Sequence, residues 1–292
     1  MHARGQEGAL AIGKLKQGGQ FAHGPVSVNH YGGFSNVMGS VIVIANQKGG
    51  VGKTTTAVNL TASLAAAEKR TLLVDCDPQG NATTGVGIER NSLTKGLYEF
   101  LLESASEQEV ILETVLPGLQ VIGSSMNLVG AEVAMAEVEN REFLLRRQLD
   151  ALRDGYDCIF LDCPPSLGFL TVNALAAADA ILVPLQCEYY ALEGLSQLLK
   201  TVKAVKKGLN PTLNLAGILL TMYDRRNNLS EQVAEEVRAH FKKGVFRTMI
   251  PRNVRLSEAP SHGKPILLYD IRSTGAQSYL ALAKECIERG VV

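Results

Sequence analysis

The sequence predicts an α/β fold in which one domain carries a mostly parallel, doubly wound sheet with helices on both faces. Three observations lead there. Short, continuous apolar runs recur along the chain, as expected for strands covered on both faces. Segments with helical spacing separate them, an alternation that favours parallel strands joined by helical crossovers. The first run passes directly into the glycine-rich loop Gly49-Gly50-Val51-Gly52.

Taken in order, Val41-Ile42-Val43-Ile44-Ala45 is the first strand, and a helix is expected from Lys53 to about Ala67. Thr71-Leu72-Leu73-Val74-Asp75 follows, then Leu119 to Ile122, Cys158 to Asp162, Ala180 to Pro184 and Leu215 to Thr221. Phe246 to Ile250 is expected to add a short strand. Helices are expected over Glu142 to Arg153, Leu192 to Lys207, Ser230 to Phe241 and Gly275 to Arg289. Residues 1–40 are rich in Gly, Gln and His and lack apolar periodicity, so they read as a disordered extension. Met38 stands just before the first strand, consistent with an inert upstream segment. The folded domain is expected over 41–292.

With 29 basic and 29 acidic residues, the net charge is zero, so no global field draws the chain to a polyanion or membrane. Any such affinity must come from a local patch. None of the five cysteines, Cys76, Cys158, Cys163, Cys187 and Cys286, forms a Cys-x-x-Cys pair, and the expectation is reduced, mostly buried thiols. No stretch approaches the ~18 apolar residues of a membrane span.

A glycine-rich turn between a strand and a helix makes a phosphate cradle. Backbone N–H groups point inward, and the helix N-terminus adds partial positive charge. In Lys48-Gly49-Gly50-Val51-Gly52-Lys53-Thr54-Thr55, Lys53 offers a point charge to the β- and γ-phosphates. Thr54 offers a hydroxyl to Mg²⁺, and Thr55 one to the α-phosphate. The usual first glycine would fall at 47, where Gln47 stands, and a second lysine, Lys48, follows.

With these residues in place, the run Asn46-Gln47-Lys48-Gly49-Gly50-Val51-Gly52-Lys53-Thr54-Thr55 resembles the deviant Walker A box of the ParA/MinD family of P-loop ATPases. Val74-Asp75-Cys76-Asp77-Pro78-Gln79-Gly80-Asn81 resembles switch I of the ParA/Soj branch. Phe160-Leu161-Asp162-Cys163-Pro164-Pro165 resembles its Walker B and switch II. Leu220 to Asp224 and Ile250 to Pro260 are also similar to that branch, and the resemblance spans about Ile42 to Glu288.

The resemblance implies ATP and Mg²⁺ as ligands, with Thr54 and Asp162 on the metal and slow hydrolysis to ADP and phosphate. Asp77 would orient the attacking water, and Lys48 would reach the phosphates of a second subunit across an ATP-sandwiched homodimer. Pro251 and Asn253 would lie near the adenine. It further implies non-specific binding of double-stranded DNA through Arg226 and Arg255, with Arg225, Arg247 and Arg252 as weaker candidates. A ParB-type centromere-binding partner would stimulate hydrolysis, and the protein would be cytoplasmic and nucleoid-associated.

Local charge accommodates such a polyanion. Between Thr221 and Arg272 stand ten basic residues and six acidic ones, a surplus of four in a neutral chain. A division-site ATPase of the MinD type is the alternative, and it would need a basic amphipathic membrane helix at its end. Here the last helix places Tyr279, Leu280, Ala283, Cys286 and Ile287 on one face with balanced charges, and reads as a core helix. An iron–sulfur relative would need loop cysteines at a dimer interface, whereas Cys158 and Cys163 flank one apolar strand.

Overall fold

The computed structural model describes residues 39–292; of the extension expected over 1–40, residues 1–38 lie outside them and Ser40 already belongs to the first strand. The first strand, β1 (Ser40–Ile44), is fully buried over its last four residues. Its alternate side chains face opposite ways, as the two-residue period of a strand requires. Val41 and Val43 enter one apolar cluster and Ile42 and Ile44 the other. The continuous apolar run is therefore read correctly as a strand with two covered faces.

Six further strands complete the sheet: β2 (Thr71–Asp75), β3 (Ile111–Glu113), β4 (Leu119–Ile122), β5 (Cys158–Asp162), β6 (Ala180–Gln186) and β7 (Asn214–Thr221). Their spatial order is β3-β4-β2-β5-β1-β6-β7. All neighbours are parallel except the β3–β4 pair. The fold class expected from the sequence is the one observed.

Six helices of eight residues or more cover the sheet among the described residues: α1 (Lys53–Ala66), α2 (Leu144–Leu152), α3 (Phe169–Ala177), α4 (Ala191–Gly208), α5 (Asn228–Phe241) and α6 (Thr274–Glu288). Buried side chains of α2 to α5 line one face of the sheet, and those of α1 and α6 the other. Asn227 caps α5 by accepting from the Leu229 N–H, and Ser273 caps α6 by accepting from the Ala276 N–H. The α6 helix lies against α1, where the Thr56 and Tyr279 hydroxyls meet at 3.2 Å. Tyr279, Ala283 and Cys286 are buried as expected, but Leu280 is only half-buried and Ile287 is exposed. Leu282 takes the core place instead. No described helix is long and apolar enough to cross a membrane.

Among the strands, one expectation needs correction and one strand was unforeseen. Phe246 to Ile250 forms no strand. It runs extended beside β7, with the Phe246 N–H donating to the Ile218 carbonyl and the Ile250 N–H to Leu220. The Phe246 ring lies so close to Gly217 that a Cβ there would meet it at 2.6 Å. In place of a continuous ladder, the packed Phe246 ring and the Glu285 carboxylate, which accepts from the Arg247 and Thr248 N–H groups, hold the segment. The antiparallel edge strand β3 was not anticipated, because three half-exposed residues carry too little pattern to be seen.

All five cysteines are free and buried. Cys158 and Cys163 lie in opposite clusters, on different faces of the sheet.

Candidate functional site

The C-terminal ends of β1, β2 and β5 meet at one place. Asp162 is the register partner of both Ile44 and Asp75. The glycine-rich loop leaves β1 here and enters α1. Gly50 (φ +73) and Gly52 (φ +89) adopt the left-handed conformation that favours glycine. A Cβ on Gly49 or Gly50 would meet no atom within 4 Å, so the loop surrounds open space. Thr221 at the end of β7 fastens the loop, its hydroxyl donating to the Val51 carbonyl at 2.8 Å. Asn46 braces its start, donating to the Pro184 carbonyl at 2.7 Å and accepting from the Lys48 N–H at 3.1 Å. Sequence reading assigned neither residue this work, although both fall inside segments it singled out.

Lys53 begins α1 and is buried, its Nζ donating to the Lys48 carbonyl at 3.2 Å. Burial pulls its pKa down, while Asp162, Cys163 and Asp77 oppose that. No ion pair closes between Lys53 and any of these carboxylates. Asp162 is fully buried, and neither of its carboxylate oxygens has a hydrogen-bond partner. Burial, and then the nearby Asp75, push its pKa well above the usual carboxylate range. The Thr54 hydroxyl is near enough to oppose that rise without reaching hydrogen-bonding geometry.

An unpaired buried carboxylate beside a hydroxyl is costly unless a cation joins them. Thr54 and Asp162 supply hard oxygen donors of the kind Mg²⁺ takes. A roomy amide-lined loop with a lysine suits the phosphates that accompany it. The residues present therefore fit Mg²⁺ and a nucleoside triphosphate.

Asp75 and Asp77 belong to the segment after β2. Asp75 accepts from the Asp77 N–H (3.2 Å), the Thr83 N–H (2.8 Å) and the Thr83 hydroxyl (2.7 Å). Its burial still raises the pKa to about 6. Asp77 is mostly buried and accepts from the Gln79 N–H at 2.9 Å. Its carboxylate stands close enough to Lys53 and Asp162 to influence both.

Lys48 sits at the mouth of the loop, where Nζ is 2.6 Å from Glu188 Oε2. Gln186 holds the other Glu188 oxygen. Asn253 uses its side chain locally. Its Oδ1 accepts from the Leu256 N–H and its Nδ2 donates to Thr274 Oγ1 at 2.7 Å. Pro251 pairs with Tyr223 through an isolated parallel bridge.

That bridge gathers three of the candidate arginines, since it draws Arg252 alongside the Arg225–Arg226 turn. The Arg252 N–H donates to the Tyr223 carbonyl at 3.2 Å. Arg226 is nearly fully exposed and pairs with Asp224 at 3.1 Å. Arg255 pairs with Glu258 at 2.8 Å and Asp270 at 3.6 Å. Arg247 stands apart, 2.7 Å from Glu288 on α6.

Fold and loop together define a P-loop nucleotide-binding protein. A sequence model of the AAA domain family matches residues 39–215. The chromosome partitioning protein ParA of Myxococcus xanthus is 61% identical over 252 residues, 86% of this chain and 89% of that protein. The sporulation initiation inhibitor protein Soj of Bacillus subtilis is 56% identical, over 87% of this chain and 100% of that one. Among solved structures, cobyrinic acid a,c-diamide synthase of Mycobacterium smegmatis with bound ADP and magnesium superposes with TM-score 0.75 at 36% identity, covering 85% of this chain and 93% of that one. The chain belongs to the ParA/Soj family of chromosome-partitioning ATPases.

Proposed function

We propose that this chain is an ATP-dependent DNA-partitioning switch. One observation carries the nucleotide half of the reading: the Asp162 carboxylate, buried without a partner at the foot of the phosphate loop beside Lys53 and Thr54. Family membership supports the DNA half.

The amides from Gly49 to Gly52, with Thr55, hold the phosphate chain, and Lys53 neutralises the β- and γ-phosphates. Thr54 and Asp162 hold Mg²⁺, which when bound screens the phosphate charge and favours the ionised carboxylate. Asp77 positions the attacking water in a reaction that needs alignment and charge neutralisation more than covalent chemistry. Pro251 flanks the base, and Asn253 both caps its helix and borders the adenine.

The Lys48–Glu188 pair is half exposed, and such pairs are worth about 0–1 kcal/mol. Glu188 therefore holds Lys48 only weakly, leaving it available to the phosphates of a second copy. ATP then joins two chains into a homodimer, and hydrolysis separates them. The dimer doubles the arginine surface of Arg225, Arg226, Arg252 and Arg255, with Arg247 at its margin, and so binds DNA backbone without reading sequence. The partners of Arg226 and Arg255 are half-exposed carboxylates, and such pairs near the surface are weak enough for phosphates to displace. A ParB-type partner accelerates hydrolysis, and the working location is the nucleoid.

The test is DNA retention with ATP, with ADP and without nucleotide across a salt series. Retention is expected only with ATP and Mg²⁺, falling steeply with salt. Arg226→Glu or Arg255→Glu should weaken it by roughly tenfold or more while ATP-dependent dimer mass in sedimentation is kept. Equal retention in all three nucleotide states would refute the switch.

A further inference from the structure

The turn that carries Asp77 is gripped by a side chain from further along the chain. Within the turn every N–H is engaged. The Asp77 N–H donates to Asp75 at 3.2 Å, the Gln79 N–H to Asp77 Oδ1 at 2.9 Å and the Gly80 N–H to the Asp77 carbonyl at 2.9 Å. Pro78 has no N–H to give. The carbonyls of Pro78 and Gln79 remain, and Arg90 takes both. Its Nη1 donates to Gln79 at 2.8 Å and its Nη2 to Pro78 at 3.0 Å. A planar guanidinium presents its donors as a fork, so it spans two acceptors at once.

The fork serves the turn alone. Among the described residues no carboxylate pairs with Arg90, and the two carbonyls are its hydrogen-bond acceptors. Hydrogen bonds from a charged donor are the stronger kind. The Arg90 stem crosses Gly80 so closely that a Cβ there would meet Arg90 Cδ at 2.8 Å and the Ser124 carbonyl at 3.0 Å. Gly80 also takes φ +66, the left-handed conformation that favours glycine.

Arg90 is itself anchored. It opens the short 3-10 turn Arg90–Ser92, where the Ser92 hydroxyl donates to the Glu89 carbonyl at 2.7 Å. Just before it, the Ile88 N–H donates to the Thr83 carbonyl at 3.2 Å. Thr83 also holds Asp75. Asp75 therefore takes a donor of the turn, Arg90 takes its acceptors, and both are fixed through Thr83.

What the turn aims is the Asp77 carboxylate. One oxygen accepts from the Gln79 N–H, and the other has no hydrogen-bond partner among the described residues. A group that orients a reacting water must be held to within about 0.5 Å. We propose that Arg90 is a positioning residue for ATP hydrolysis: by clamping the Pro78 and Gln79 carbonyls it fixes the direction of the Asp77 carboxylate toward the attacking water. The inference rests on the role proposed for Asp77 above. No hydrogen bond joins Arg90 to the phosphate loop, so it governs turnover rather than ATP binding.

The test is Mg²⁺-dependent ATP turnover by the full chain, with kcat and KM read separately. Arg90→Met keeps the stem over Gly80 and removes the fork. It should lower kcat by about tenfold to 100-fold, because small misplacements of a reacting group are costly, while KM for ATP moves less than about threefold. Urea midpoints check the fold. Should Arg90→Met unfold, Arg90→Lys, which reaches one carbonyl at a time, carries the same test with an expected loss in kcat of about threefold to tenfold. A parent-like kcat overturns the proposal, and so does a loss that appears in KM alone. The same change is then made in an Asp77→Asn chain and followed as a single turnover. If Arg90 acts through Asp77, Arg90→Met should slow that chain by less than about threefold more. A full further loss there would show that Arg90 acts elsewhere, and overturns the inference. Parent-like turnover by Asp77→Asn alone would instead remove the role of Asp77, and the inference with it.

Discussion

The tips of β2 and β5 are register neighbours, and each ends in a fully buried aspartate, yet the two carboxylates are treated differently. Asp75 accepts three hydrogen bonds from its own loop. Asp162 accepts none on either oxygen. A buried charge with good donors holds structure together, whereas one without them is costly to the fold on its own. The difference separates an architectural group from one kept ready for a ligand, although both lie in strands of the same apolar character.

The largest expected effect separates activity from stability. Asp162→Asn should reduce Mg²⁺-dependent ATP turnover by at least about 100-fold, because a carboxylate ligand to the metal is gone. The ligand-free fold should be as stable as the parent or more so, since an orphaned carboxylate has been removed. Asp75→Asn, compared at about pH 4 where the folded Asp75 keeps its proton, should show the opposite emphasis, losing about 1–3 kcal/mol of stability as one of its two oxygens is replaced by a donor. Urea midpoints and a turnover assay read both quantities. Equal stability losses in the two variants would erase the distinction.

Next in size is the pH dependence of the ligand-free chain. Burial raises the folded pKa of Asp75 from 3.8 to about 6, and that of Asp162 rises in the same direction. A carboxyl raised in the folded state keeps its proton where the unfolded chain has lost its own. Its contribution is full below the unfolded value and disappears as pH climbs through the folded one. Stability should therefore decline from about pH 4 to beyond pH 6. Asp75 accounts for at most about 3 kcal/mol of this, at ~1.4 kcal/mol per pKa unit. Asp75→Asn and Asp162→Asn should each make the slope shallower, because both carboxyls contribute to it from the unfolded value upward. A profile flat over that range in the parent chain would contradict the burial argument for both groups.

Much of this was legible in the sequence. The apolar runs before the loop, before Asp75 and before Asp162 are strands covered on both faces, and their ends converge where the phosphate loop begins. Lys53 and Thr54 follow that loop in a register that fixes their place. What was not legible depends on contacts distant along the chain. Lys48 meets Glu188 across 140 positions, and Thr221 fastens Val51 across 170. The contrast between the two aspartates was hidden for the same reason, since Ser124, 41 positions beyond Thr83, completes the network around Asp75. Edge strand β3 escaped because a half-exposed strand of three residues has almost no periodicity. The segment at Phe246 looked like a strand because its apolar content is real, but its partner is a gap above Gly217 rather than a ladder.

The smallest expected effect tests what makes the β2 tip self-sufficient. Thr83 serves two neighbours with one hydroxyl, donating to Asp75 at 2.7 Å and accepting from the Ser124 N–H at 2.9 Å. Thr83→Val keeps the shape and removes the hydroxyl, so Asp75 keeps two donors and the Ser124 N–H is left buried without an acceptor. Leaving such a group unpaired costs about 1–3 kcal/mol, and Thr83→Ser should recover most of it. The same change makes Asp75 more like Asp162, so its pKa should rise further and the decline in stability should move to higher pH. If Thr83→Val proved neutral in urea and left the pH profile in place, the backbone donors alone would satisfy Asp75. The contrast with Asp162 would then rest on loop geometry rather than on this side chain.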